Sequence, residues 1–128
     1  MRENNFQEVE VFEDAFMNEF CDTLTAKVKE ITGEELFICG SLARMFSGEL
    51  SEDYTPKDVD FVVSKGAFIL LSRNPLVLQG VVMVEKRPDR IVFFLENKHC
   101  VELWIFLKED EGKSKQYFKN KIPYLIHL

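Results

Sequence analysis

Three acidic residues stand where acids are expensive. Asp58 and Asp60 open the apolar run Asp58-Val59-Asp60-Phe61-Val62-Val63-Ser64. Alternate side chains of a strand share a face, so the two carboxylates project together and repel. A divalent cation removes that repulsion, because Mg²⁺ takes one or two carboxylates and completes its shell with water and phosphate oxygens. The bland alternative is that Asp58 ends a loop and Asp60 faces water. Glu102 lies inside another apolar run, Cys100-Val101-Glu102-Leu103-Trp104-Ile105-Phe106. A carboxylate there is costly to bury unless it is paired or metal-bound. If the two strands are neighbours, three carboxylates converge, enough for one or two metal ions and in-line phosphoryl or nucleotidyl transfer. The alternative for Glu102 is an edge or solvent-facing position.

A second group precedes them. The run Leu36-Phe37-Ile38-Cys39 stops at Gly40-Ser41, and Leu42-Ala43-Arg44-Met45-Phe46 follows with a helical pattern. Gly-Ser between a strand and a helix puts unpaired N–H groups and the positive helix end at the sheet edge. Glycine lets a phosphate approach the backbone, and the serine hydroxyl can donate to it. The same pair also serves as an ordinary turn with Ser41 as N-cap. Arg44, one turn on, reaches either a phosphate or a surface partner. His99-Cys100 is a weaker pair, since adjacent strand residues face opposite ways. Lys113, Lys115, Lys119 and Lys121 read as a solvated basic face, and Trp104 and the phenylalanines as core.

The elements that must position these residues follow from periodicity. Phe12, Phe16, Phe20, Leu24, Val28 and Ile31 form one stripe, which predicts a long helix from about Gln7 to Ile31, stopped at Thr32-Gly33. Strands are expected at Leu36–Cys39 and Asp58–Ser64, with a polar loop from Glu49 to Lys57 between them. Gly66–Arg73 reads as a short helix ended by Asn74-Pro75. Residues 80–85, 90–95 and 100–106 are three consecutive strands joined by short turns. A turn at Glu109 to Lys113 then precedes a final helix from Lys115, interrupted at Pro123. The order α-β-α-β-α-β-β-β-α predicts an α/β (α+β) fold with a mixed sheet of about five strands flanked by helices.

The 128 residues fit one domain, 1–128, and 46% hydrophobic residues with twelve Phe supply a core. A net charge of −6 does not indicate a nucleic-acid surface. Cys21, Cys39 and Cys100 lack zinc or disulfide spacing and read as buried reduced thiols. The acidic start lacks a signal-peptide core, and no apolar run reaches the ~20 residues needed to span a bilayer. The expectation is a cytoplasmic protein without a membrane segment.

Gly40-Ser41 with its short helix, the Asp58-x-Asp60 strand and the later single carboxylate together resemble the nucleotidyltransferase superfamily that includes DNA polymerase beta. Gly40-Ser41-Leu42-Ala43-Arg44 is similar to the small stand-alone "minimal" members. The resemblance covers roughly residues 35–106. It implies that Gly40, Ser41 and Arg44 hold the phosphates of a nucleoside triphosphate, and that Asp58, Asp60 and Glu102 hold Mg²⁺ or Mn²⁺, Glu102 also activating the attacking hydroxyl. It implies transfer of a nucleoside monophosphate, AMP foremost, to a hydroxyl of a protein or other acceptor, including an antitoxin-like pairing with a helical toxin. With no room for an acceptor domain, a partner protein or a homo-oligomer would supply that side; a small acceptor such as an aminoglycoside is a more distant reading. Two departures stand out: residues 42–57 make a long spacer, and the third carboxylate is Glu where Asp is common. If they spoil the geometry, the same fold would bind a partner protein or nucleotide without turnover.

Overall fold

The structure, a computed structural model, describes residues 5–50, 58–107, 114–119 and 122–127. Residues 51–57 of the expected polar loop, the expected turn at Glu109 to Lys113, and Lys121 lie outside the described residues.

The stripe expected as one helix forms two. α1 covers Asn5–Val9 and α2 covers Ala15–Thr32. Between them Glu10 takes left-handed backbone, φ 53°, and Asp14 caps α2 by accepting from the Phe16 N–H at 2.9 Å. Two buried side chains of α2 hold the break. The Asn18 amide accepts from the Phe12 N–H at 2.9 Å and donates to the Phe12 carbonyl at 2.8 Å. The Asp22 carboxylate accepts from the N–H groups of Phe6 at 2.8 Å and Gln7 at 3.0 Å, donors that the first turn of α1 cannot satisfy itself. The chain thereby stacks Phe6 on Phe12, with ring centroids 6.3 Å apart. α2 ends where Gly33 adopts φ 76° and its N–H donates to the Lys29 carbonyl, a left-handed ending that glycine makes without Cβ strain.

β1 (Phe37–Cys39) runs directly into α3 (Gly40–Phe46). Cys39, not Ser41, occupies the N-cap position, and no side chain caps this helix; Ser41 already lies inside its first turn. β2 (Val59–Ser64) leads into α4 (Lys65–Arg73), which stops as Asn74 turns extended before Pro75. The expected meander is present as β3 (Val81–Lys86), β4 (Arg90–Leu95) and β5 (Cys100–Phe106).

The tail departs from expectation. In place of a final helix it forms β6 (Ser114–Lys119) and β7 (Ile122–His127), paired antiparallel with Tyr117 opposite Tyr124. Pro123 cannot sit inside a helix, and Tyr117, Phe118, Ile122 and Ile126 favour strands. β7 adds to the sheet by parallel pairing at Ile38 and Tyr124.

The strand order is β3-β4-β5-β2-β1-β7-β6. β2 and β5 pair parallel, as do β1 and β7; the other pairs are antiparallel. The fold is therefore α+β around a mixed sheet, and its seven strands exceed the five expected by the tail hairpin. One face carries Val59, Phe61, Val63, Ile91, Phe93, Val101 and Leu103, all in the core that the helices cover. Phe6 meets Phe61 and Phe20 meets Phe93 edge-on there, with centroids 6.2 and 6.1 Å apart. The alternate residues, Asp60, Val62, Glu102, Trp104, Arg90 and Val92, belong to the opposite face. None of them joins the helix-covered core.

Candidate functional site

Register decides which candidates meet. β2 lies beside β5, with Asp60 directly opposite Glu102 and Val62 opposite Trp104. On the other side of β2, Cys39 is opposite Asp60. On the far side of β5, Val92 is opposite Glu102 and Arg90 is opposite Trp104. Cys39, Asp60, Glu102 and Val92 thus form one row across four strands, with Trp104 and Arg90 in the next.

Asp60 and Glu102 are close enough to share a hydrogen bond, and their mutual repulsion adds to partial burial. Burial first, then the hydrogen bond and charge of Glu102, push the Asp60 carboxyl up to about 6. The Trp104 indole N–H opposes the rise by donating to Asp60 Oδ1 at 3.4 Å. Glu102 has a cation of its own, for Arg90 Nε stands 3.3 Å from its Oε1. Asp58 is exposed, and its Oδ1 accepts from the Cys100 N–H at 2.9 Å, which ties the start of β2 to the start of β5. It remains near enough to Asp60 for its charge to be felt there. Among the described residues, no three His, Cys, Asp or Glu side chains stand together as a ready-made metal cage.

Gly40 closes the other side. Its φ is 67°, and a Cβ built there would lie 2.7 Å from Asp60 Oδ2. The glycine backbone therefore packs directly on the carboxylate, at a positive φ that L side chains rarely adopt. Ser41 follows on the first turn of α3, half-buried. Arg44 points elsewhere: its Nε pairs with Glu49 Oε2 at 3.3 Å, both side chains exposed. A cavity of about 410 Å³ beside the turn is lined by Cys39, Gly40, Arg44, Glu49, Val62 and Leu125 among others. Asp60 and Glu102 do not line it; they lie on the sheet face next to it.

All three thiols are held in the protonated direction. Burial and the charges of Asp60 and Glu102 push the Cys39 thiol up to about 12. Cys100 is raised by burial and by Asp58 and Glu102, and Cys21 is raised by its complete burial. Cys39 and Cys100 are half-buried, against the expectation of fully buried thiols. Trp104, read as core, is half-buried on the face away from the helix-covered core, with the Arg90 guanidinium carbon 4.6 Å from its ring centroid. Arg90 is the residue the sequence reading missed. It ends a charged turn, and nothing short of the β4–β5 register shows it to be the partner of Glu102.

No described helix is long and apolar enough to cross a membrane. The chain matches no protein-family model and no characterised protein.

Proposed function

We propose that this protein is a metal-dependent nucleotidyltransferase that moves a nucleoside monophosphate, AMP foremost, from a triphosphate to an acceptor hydroxyl. The observation that carries the reading is the in-register pairing of Asp60 with Glu102 on neighbouring strands, with Gly40 packed against Asp60. The donor set fits a hard divalent cation. Burial first, and then the neighbouring Glu102, raise Asp60 to about 6, and a cation would offset both by favouring the charged form. Mg²⁺ needs no all-protein cage, because substrate phosphates and water complete its shell. Asp60 and Glu102 would hold it, joined by the Asp58 oxygen that is not bonded to Cys100.

When bound, Mg²⁺ or Mn²⁺ supplies positive charge to the phosphate oxygens in the transition state and to the departing pyrophosphate. The residues of the chain do the rest. The Gly40-Ser41 turn offers close backbone approach to the triphosphate. Glu102 accepts the proton of the acceptor hydroxyl as that oxygen bonds to the α-phosphorus and the bond to pyrophosphate breaks. The acceptor hydroxyl would come from a partner protein or a second copy, as in an antitoxin-like pairing with a helical toxin.

A second reading has its own support. Arg90 already neutralises Glu102, and Asp58 is engaged by the Cys100 N–H, as suits a fold that binds a partner or a nucleotide without turnover. Labelled ATP with Mn²⁺ and a cell lysate separates the two. Metal-dependent label transfer that falls by about 10²-fold or more in Asp60→Asn and Glu102→Gln is the expected result. Absence of transfer by the wild-type protein with all four nucleoside triphosphates would leave only the binding reading.

A further inference from the structure

We propose that Arg90 is a positioning residue that holds Glu102 in line and sets how tightly the carboxylate pair takes a cation. The inference rests on the reading of Asp60 and Glu102 as a cation-holding pair.

Arg90 touches both carboxylates, one directly and one through Trp104. Its Nε is 3.3 Å from Glu102 Oε1, with side-chain exposures of 23% and 26%. That Nε is shut off from solvent and makes no hydrogen bond among the described residues, so the ion pair is its compensation. The guanidinium plane lies over the Trp104 ring at 4.6 Å, a contact worth about 1 kcal/mol or more when partly desolvated. The same indole donates to Asp60 Oδ1 at 3.4 Å. Asp89 steadies the far end of the guanidinium through Nη1 at 3.2 Å. The Asp89 carbonyl in turn accepts from the Ile105 N–H at 3.1 Å. The turn before β4 is thereby anchored to β5, and Arg90 is fixed between its partners.

Two consequences of opposite sign follow. A positive charge beside Glu102 opposes a second cation, so removing it tightens cation binding. The same removal frees Glu102 to rotate, so the group that takes the acceptor proton loses its aim. A purely structural arginine would weaken both together.

The chain has a single tryptophan, and it is bonded to Asp60, so its emission reports a cation there. Titration of the full chain with Mn²⁺ alone, followed by Trp104 fluorescence, is the test. Wild-type protein shows a saturable change that Asp60→Asn abolishes. In Arg90→Gln the half-saturating Mn²⁺ concentration falls by about threefold or more. Arg90→Lys keeps the charge and stays within about twofold of wild type. Far-UV circular dichroism of each variant establishes that it is folded. In the transfer assay, Arg90→Gln loses about tenfold in kcat with the nucleotide KM unchanged. Equal or weaker Mn²⁺ binding in folded Arg90→Gln, identical behaviour of the Lys and Gln variants, or a wild-type signal indifferent to Asp60→Asn overturns the proposal. A wild type that binds Mn²⁺ but transfers no nucleotide overturns the enzyme reading instead, and the affinity ratio still judges Arg90.

Discussion

Asp60 carries a cost that pH makes visible. Its carboxyl rises from 3.8 to about 6 on folding, through burial and then Glu102. A raised acid means that the native state binds the proton more tightly than the unfolded state. Stability therefore falls as pH climbs from about 4 through 6 and carries the full penalty above that. Replacing Asp60 by Asn keeps an acceptor for the Trp104 N–H and removes the charge. In urea titrations without divalent ions, Asp60→Asn is expected to be more stable than wild type at pH 7, with the advantage shrinking below pH 6 and gone near pH 4. A constant difference across that range would show that folding does not raise the Asp60 carboxyl. The tension is what one expects where function opposes stability, since a neutral pair would pack more favourably and bind no cation. Asp60 and Glu102, which the register sets opposite each other, were legible as candidates because acids inside apolar runs are conspicuous. For Arg44 the sequence left a phosphate and a surface partner both open, and Glu49 is such a partner.

At the scale of elements, the break between α1 and α2 is the feature with most to lose. Asn18 and Asp22 are buried, at 4% and 2% exposure; Asn18 satisfies the Phe12 groups that a continuous helix would have satisfied itself, and Asp22 satisfies first-turn N–H groups that no helix could. Asn18→Ala leaves both the N–H and the carbonyl of Phe12 without that partner. The expected loss is about 2–4 kcal/mol, from two buried polar groups at about 1–3 kcal/mol each less some relaxation, read as a lower urea midpoint. A loss under about 0.5 kcal/mol would mean that water or a straightened helix replaces the amide. The stripe from Phe12 to Ile31 hid this break because its four-residue spacing holds across the true start of α2. The available signal was Asp14, a good N-cap residue placed inside the run just before Ala15. The same reasoning explains the meander, where two strong β runs flank a short turn and leave little choice.

For the molecule as a whole, the tail hairpin completes the sheet on the side of β1. Tyr124 is 7% exposed; its ring stands edge-on to Phe46 and stacks with Tyr117, each centroid 5.6 Å away. Since Phe46 closes α3, the tail braces the helix that begins at Gly40. Tyr124→Ala is expected to cost about 3 kcal/mol and to raise amide exchange in β1 and α3 more than in β3 and β4. Uniform exchange across the sheet would deny the tail that bracing role. By itself the sequence determined the helix and strand identities from Ala15 to Phe106, the strand-to-helix turn at Gly40, and the two acidic runs. Those depend on periods of two and nearly four residues and on glycine and proline, which act within a few residues. Tertiary structure alone decided that β2 and β5 are neighbours in register, that Arg90 meets Glu102, and that the tail joins the sheet beside β1. These are long-range choices, made by which apolar faces can be buried together, and no local pattern encodes them.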